Sequence, residues 1–340
     1  MTNIRIGVIG CGAIARRRHL PEYAYQPNVE IVAVADTNQE RAEEMAALYG
    51  ANAYTDYREL LQHEGLDAVS VCLPNALHAP VSIAAMEAGK HVLCEKPMAI
   101  SIAEASAMIA ASETTGKLLM IGHNQRLMLP HVKAKEILDS GVLGRVLTFR
   151  TSFGHGGPET WSIEGPGGWF FQKKLAFIGA MGDLGVHKTD LIRFLLGEEI
   201  VEVGAFVGTL QKQDTDVDDN AVCVLKSENG IIGTLAASWT YKAKEDNSTV
   251  LYCENGILRL IEDATYNVII DFNNGERVLH QMGKVATNDK QTESGIVRTF
   301  IHHIATNTKP TISGEEGLKS LKIILAALES AETGTIVRVQ

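Results

Sequence analysis

The chain has 340 residues, 45% hydrophobic and 21% charged, a balance that fills the cores of two globular domains more comfortably than one. Its formal net charge of −10 argues against a nucleic-acid or anionic-membrane partner, which would select a basic face, and the local Arg16-Arg17-Arg18 does not change that. No run approaches the roughly 20 apolar residues of a transmembrane helix, and MTNIRIGVIG enters a strand at once, without the pattern of a signal peptide.

Five cysteines (Cys11, Cys72, Cys94, Cys223 and Cys253) are odd in number and form no C-x-x-C pair. Beside apolar strand-like runs they read as small hydrophobes in a reducing compartment, which makes the cytoplasm the expected location.

In chain order, short apolar runs at 4–9, 29–35, 68–73, 91–94 and 118–121 alternate with helical stretches at 38–49, 78–88 and 102–115. Strands apolar on both faces and separated by amphipathic helices predict a parallel sheet covered on both sides, the α/β doubly wound Rossmann arrangement. A helical segment at 130–140 leads out of this half. Beyond Gly144 the pattern changes to longer strands at 145–153, 200–208, 221–226, 231–239, 249–253, 257–261 and 266–272. Turn residues at Glu228-Asn229-Gly230, Glu254-Asn255-Gly256 and Asn273-Asn274-Gly275 fit hairpins. With helices at 183–196, 295–306 and 315–332, this half reads as α+β with a large, mostly antiparallel open sheet. The expected division is 1–122 for a dinucleotide domain and 123–340 for a substrate-binding and oligomerisation domain. An open sheet has a second face to cover, so a homodimer or homotetramer through it is expected.

The first strand runs into Gly10-Cys11-Gly12-Ala13-Ile14-Ala15, the G-x-G-x-x-A form of the dinucleotide fingerprint in its required strand–loop–helix context. Gly10 permits the tight turn, Gly12 lets the backbone approach a pyrophosphate, and the following helix N-terminus favours an anion. Asp36 ends the second strand, where its carboxylate suits ribose hydroxyls and repels a 2′-phosphate. NAD is therefore favoured over NADP. An N-cap for the helix at 38–49 is a second, compatible role for Asp36. Arg16–Arg18 read mainly as solvated charge.

Two further stretches carry chemistry. CEKP (94–97) places Glu95 and Lys96 just past a strand end, as LPNALH (73–78) places Pro74 and Asn75, and ligands of open α/β sheets bind outside strand carboxyl ends. GAMGDLGVHKTD (179–190) places Asp183 and His187 four apart in a helical segment, on one face and one turn apart. A lysine and a histidine with an orienting carboxylate can take the proton of an alcohol while its carbon gives up hydride. Asp183, His187 and Asp190 form a polar stripe beside the apolar Leu184, Leu191 and Leu195, so a plain solvent face stays open, and Asp190 either bonds the His187 ring or serves that face. Asp-x-x-x-His also supplies two metal ligands, but no further cluster with ligand spacing accompanies it, so no metal is expected. The loop 154–170 holds His155, Trp161 and Trp169, which suit a pocket wall; a lid or subunit contact is the equal alternative. Trp239 and Tyr241 close a strand and read as edge packing, with reach into the pocket as the alternative, and His123, His131, His302 and His303 show no usable arrangement.

Taken together, GCGAIA, LPNALH, CEKP, GHNQR (122–126), GAMGDLGVHKTD and SAETGTIVRV resemble the Gfo/Idh/MocA oxidoreductases over essentially the whole length. The resemblance implies that Lys96 touches both the nicotinamide ribose and the substrate hydroxyl and that Glu95 faces the cofactor. It also implies a cis Lys96–Pro97 bond. Pro74, Asn75 and His78 then line the nicotinamide side, Gln125 or Arg126 flanks cofactor or substrate, and His187 is the general acid/base with Asp183 beside it. His155 and Trp169 join Lys96, Asp183 and His187 around the substrate. The implied activity is NAD-dependent oxidation of a secondary hydroxyl of a sugar, inositol or related polyol. Two alternatives stay open: a relative that retains NAD and cleaves a glycosidic bond with no net redox, and a non-catalytic NAD-sensing regulator.

Overall fold

A computed structural model describes residues 3–283 and 293–340, and its described parts gather into two compact units. The first comprises Met1–Asn124, Trp161–Trp169 and Ala286–Lys319; the second comprises Gln125–Thr160, Phe170–Val285 and Ser320–Gln340.

In the first unit β1 (Ile4–Ile9), β2 (Val29–Ala35), β3 (Asn52–Tyr54), β4 (Ala68–Val71), β5 (His91–Cys94) and β6 (Leu119–Ile121) form a parallel sheet in the order β3-β2-β1-β4-β5-β6. This is the expected doubly wound sheet, and its order reverses between β1 and β4, which puts the glycine loop and the Leu73–Pro74 turn at the switch point. β1 and β4 are apolar and buried almost throughout, as a sheet covered on both faces requires. The edge strand β3, NAY, is short and largely exposed, so it offers no apolar run by which the sequence could announce it.

Helix Gln39–Tyr49 starts from Asn38, whose side chain accepts from Arg41 N; Asn38, not Asp36, is the N-cap. Helix Ile102–Thr115 is capped likewise by Ser101. The helix predicted at 78–88 begins earlier, at Asn75, directly behind Pro74. The helix behind the glycine loop opens as a π-helical stretch, Ala15–His19, before Leu20–Ala24 continues as α. Later residues complete this unit: Ile121 N donates to Ile312 O, and Gly317 packs against Ile121 and Met98.

In the second unit β7 (Val146–Gly154), β8 (Ile200–Gly208), β9 (Asn220–Ser227), β10 (Ile232–Ser238), β11 (Thr249–Cys253), β12 (Gly256–Leu260), β13 (Val268–Phe272), β14 (Arg277–His280) and β15 (Val337–Arg338) form one sheet. Its order is β14-β13-β12-β11-β7-β10-β9-β8-β15; β7 and β10 run parallel and the other neighbours antiparallel. β9 shows the period-2 rule cleanly, with Ala221, Cys223 and Leu225 buried while Val222 and Val224 are exposed. The buried face is covered by helices, including Leu129–Asp139 and Val186–Leu196. All five cysteines are free thiols within buried surroundings. Among the described residues, no helix is long and apolar enough to cross a membrane.

Candidate active site

In the first unit, Gly10 turns the chain at φ +94°, and a Cβ there would lie 2.2 Å from Cys72 O, so only glycine fits. Gly12 differs: nothing stands within 4 Å of the position its Cβ would take. The loop is thus closed against the sheet at Gly10 and open at Gly12, the cradle a pyrophosphate needs, with Ala13 and Ile14 leading into the helix. Asp36 braces it, its Oδ2 accepting from Cys11 N (2.9 Å) and its Oδ1 from Asn38 N (2.8 Å).

Lys96, half-buried, follows β5, and the Lys96–Pro97 bond is cis. His78 is fully buried, with Nδ1 2.7 Å from Pro97 O and Nε2 2.8 Å from Leu73 O, so the ring spans the two strand-end turns and the one N–H of its neutral form serves one of the two carbonyls. Burial pulls its pKa below the ordinary value against the pull of the two carbonyls. Asn75 is buried at the start of its helix, behind the half-buried Pro74. Glu95 is also buried. It pairs with His19 Nε2 at 2.8 Å and Arg18 Nη1 at 3.6 Å. Burial would raise its carboxyl, but the His19 hydrogen bond and the charges of Arg18 and Lys96 hold it down to about 2. Arg18 is therefore not the solvated charge that the sequence implied. Arg16 reaches Glu44 and the Cys11 carbonyl.

In the second unit the 179–190 segment is not one uniform helix. Met181–Gly185 is a π-helical turn that passes into α-helix at Val186–Leu196, and Asp183 and His187 stand on either side of the junction. Such π turns inside helices recur at functional sites. Its start is held by Asp218, whose Oδ1 accepts from Gly179 N (2.7 Å) and Oδ2 from Met181 N (2.8 Å). Gly179 is required there, because a Cβ would fall 1.8 Å from Asp218 O. Burial lifts the Asp218 carboxyl to about 6, against the two amides that favour its charged form.

The polar stripe is not a solvent face: Asp183, His187 and Asp190 are all buried. Asp183 Oδ2 accepts from Trp239 Nε1 at 3.1 Å, and the fully buried Trp239 packs on Phe171. Trp239 is thus a partner of the site rather than strand-edge packing. The His187 ring lies 5.7 Å from that of Phe153. Asp190 takes a bidentate pair from Arg126, both bonds 2.7 Å, with Ser320 Oγ at 3.1 Å. Gln125 donates to Asn247 Oδ1 (3.2 Å), and its carbonyl lies 2.7 Å from His131 Nδ1. His155 is buried, receives Gly157 N at Nδ1 and meets Phe153 edge-on. The loop 154–170 is divided: His155 belongs to the second unit, whereas Trp161–Trp169, tied by the Arg41–Glu164 pair, belongs to the first.

Sequence reading passed over Lys188. Its ammonium is fully buried, donates to Asn247 O (2.9 Å) and Thr249 Oγ1 (3.4 Å), and sits 5.8 Å over the Phe153 ring. Burial lowers it from 10.5 to about 7, with Asp246 and Glu245 opposing. A lysine next to His187 on a helix gives no signal in the sequence that it points inward.

Residues 4–123 match the model of the "oxidoreductase family, NAD-binding Rossmann fold", and residues 131–259 match the Gfo/Idh/MocA C-terminal domain. The levoglucosan dehydrogenase of Pseudarthrobacter phenanthrenivorans is 32% identical over 70% of this chain and 68% of its own length. The chain belongs to the Gfo/Idh/MocA oxidoreductases. The myo-inositol 2-dehydrogenase of Thermotoga maritima is 28% identical over 99% of both chains. A solved levoglucosan dehydrogenase in complex with NADH and levoglucosan superposes with a TM-score of 0.86, at 27% identity over 99% of both chains. The first unit is accordingly an NAD-binding Rossmann domain of an enzyme family whose relatives are named as dehydrogenases and reductases of sugars and polyols.

The two loop glycines separate fold from ligand. Gly10→Ala will cost more than about 2 kcal/mol in denaturant unfolding. Gly12→Ala will stay within about 0.5 kcal/mol of wild type yet weaken NAD binding at least tenfold by titration calorimetry; unweakened binding would remove the dinucleotide from this loop. Lys188 makes a pH prediction. Between about 7 and 10.5 the unfolded chain keeps this proton and the folded chain has lost it, so this group's contribution to stability rises with pH across that window. Lys188→Met lacks the rise, and its Tm relative to wild type will fall from pH 6 to pH 10. A flat difference would mean that the ammonium is not depressed.

Proposed function

We propose that this protein is an NAD-dependent dehydrogenase that oxidises a secondary hydroxyl of a sugar, inositol or related cyclic polyol. The observation that carries the reading is the Asp183–His187 pair, a carboxylate and an imidazole buried around a π-to-α junction in a chain of an NAD-binding oxidoreductase family. Bound NAD supplies the hydride acceptor. Gly10, Gly12, Ala13 and Ile14 hold its pyrophosphate, Asp36 its adenosine ribose, and Pro74, Asn75, Glu95, Lys96 and Gln125 its nicotinamide end. His78 serves that end by keeping the Leu73 and Pro97 turns in place.

Lys96 donates a hydrogen bond to the substrate hydroxyl and stabilises the alkoxide that develops on it. His187 takes the hydroxyl proton as general base and returns it in the reverse direction. Asp183, itself anchored by the Trp239 indole, orients the imidazole or a neighbouring hydroxyl. His155 and Trp169 complete the substrate contacts, with 1–122 as the cofactor domain and 123–340 as the substrate domain. The substrate class is supported by relatives named for levoglucosan, D-glucosides and myo-inositol. Preference for NAD rests on Asp36, whose negative charge opposes a 2′-phosphate.

The same reading includes a homodimer or homotetramer through the second sheet. Cross-strand neighbours Phe206 and Val222, with Val224 and Ile232 nearby, leave an apolar strip exposed on that face. Each such side chain stabilises an interface by about 1.5–3 kcal/mol when fully buried.

Reduced-nicotinamide absorbance across a panel of inositols, aldoses and anhydrosugars tests the activity. A polyol will turn over with NAD in preference to NADP, and Lys96→Ala and His187→Ala will each lower kcat by roughly 10²–10⁴. Wild-type turnover in both variants would end the assignment of roles, and NADP preference that of Asp36. For assembly, light scattering behind size exclusion will give a dimer or tetramer, reduced to monomer by Val222→Lys with Val224→Lys. A monomeric wild type would refute it.

A further inference from the structure

Behind Lys96, in the first unit, lies a buried chain of polar groups that the reaction itself does not use. His19 is completely buried, with Nε2 2.8 Å from Glu95 Oε1 and Nδ1 2.9 Å from Ser70 Oγ. Tyr23, equally buried, places its hydroxyl 2.8 Å from the same Ser70 Oγ. Glu95 is an ionised carboxylate, an acceptor only, so His19 Nε2 carries the hydrogen between them. One assignment then gives each donor an acceptor: Tyr23 O–H to Ser70, Ser70 O–H to His19 Nδ1, His19 Nε2–H to Glu95.

At its other end the same carboxylate meets the lysine turn. Lys96 N donates to Glu95 Oε2 at 3.3 Å, so the two oxygens are divided between His19 and the Lys96 backbone. The carboxylate has little room to shift, because a Cβ on Gly122 would already lie 3.1 Å from it. Arg18, Cys72, His78, Cys94 and Lys96 are its other charged or titratable neighbours. Two roles fit such a chain, a proton wire or a brace. A wire needs a wet end, and Tyr23 is fully buried with burial pushing its phenol well up, so it stays protonated. The chain closes inside the core, which makes it a brace.

We propose that His19 is a positioning residue for Lys96, acting through Glu95: its imidazole fixes the carboxylate that the Lys96 amide caps, and thereby fixes where the ammonium stands. This rests on the role given to Lys96 above. A buried carboxylate deprived of its main donor turns toward its remaining cations, and the lysine moves with it. Misplacement of a reacting group by about 1 Å costs up to roughly 10²-fold in rate.

The test uses the full chain. His19→Ala will lower kcat by roughly 10- to 100-fold with the NAD dissociation constant little changed, Glu95→Gln will lower kcat by a similar factor, and the double variant will be no worse than the poorer single. His19→Gln, which keeps an N–H donor, will recover most of the rate. A second readout needs neither NAD nor turnover. Lysines carrying ¹³C-dimethyl labels are observed by NMR in the apoprotein, with the Lys96 signal assigned by Lys96→Arg; its chemical shift will move in His19→Ala. Should His19→Ala fail to fold, His19→Gln and Ser70→Ala give the same displacement at smaller amplitude. Multiplicative rate losses in the double variant, or an unmoved Lys96 signal, would overturn the proposal. If Lys96→Ala keeps full turnover, the role of Lys96 falls instead, a result the NMR readout does not touch.

Discussion

The Asp218 carboxylate sits almost fully buried at the point where the segment bearing Asp183 and His187 begins, and it ends there because the amides of Gly179 and Met181 need an acceptor. A helix start leaves backbone N–H groups without intrahelical partners, and a carboxylate out of water is costly unless it receives hydrogen bonds. Each deficit cures the other. Similar exchanges recur elsewhere in the chain. Asp36 receives Cys11 N and Asn38 N, Asp219 receives the amides of Leu210, Gln211 and Lys212, and Lys188 gives its protons to Asn247 O and Thr249 Oγ1. Loops that must be irregular enough to hold ligands are thereby made rigid.

That rigidity serves a few groups, the half-buried Lys96 and the buried Asp183 and His187. In the first unit the Lys96 turn is held on one side by Glu95 and its partner His19, and on the other by His78, which spans Leu73 O and Pro97 O. In the second, the imidazole of His187 rests against Phe153, whose ring also lies beneath the Lys188 ammonium. The indole of Trp239 fixes one oxygen of Asp183. The roles proposed for these groups require support of this kind, because placement within a fraction of an ångström separates a bound substrate from a reacting one.

Much of the fold is legible from periodicity. β1, β2, β5, β8 and β11 fall where their apolar runs end, and the glycine loop announces the switch point of the first sheet. Three edge strands escaped reading, β3 and β15 with little apolar content and β14 only four residues long, and α-helix was read where Met181–Gly185 makes a π turn. The stripe of Asp183, His187 and Asp190 looked compatible with a solvent face because charge pattern reports polarity, not depth. Burial of Asp190 is permitted by partners distant in sequence, Arg126 64 residues earlier and Ser320 130 residues later.

Residue order alone thus determined the cofactor loop, the acid that follows β2, the lysine past β5 and the carboxylate–histidine spacing, since each is a short-range pattern set by strand ends and helical turns. Tertiary structure decided the partners. Glu95 meets His19 across 76 positions and Asp183 meets Trp239 across 56, and no periodicity encodes such pairings. It also decided that Lys188 lies inside and that Trp161–Trp169 belongs to the first unit while His155 belongs to the second. The physical reason is that a hydrogen bond is chosen by proximity in the packed chain and by the cost of leaving a buried polar group alone, and both quantities exist only after folding.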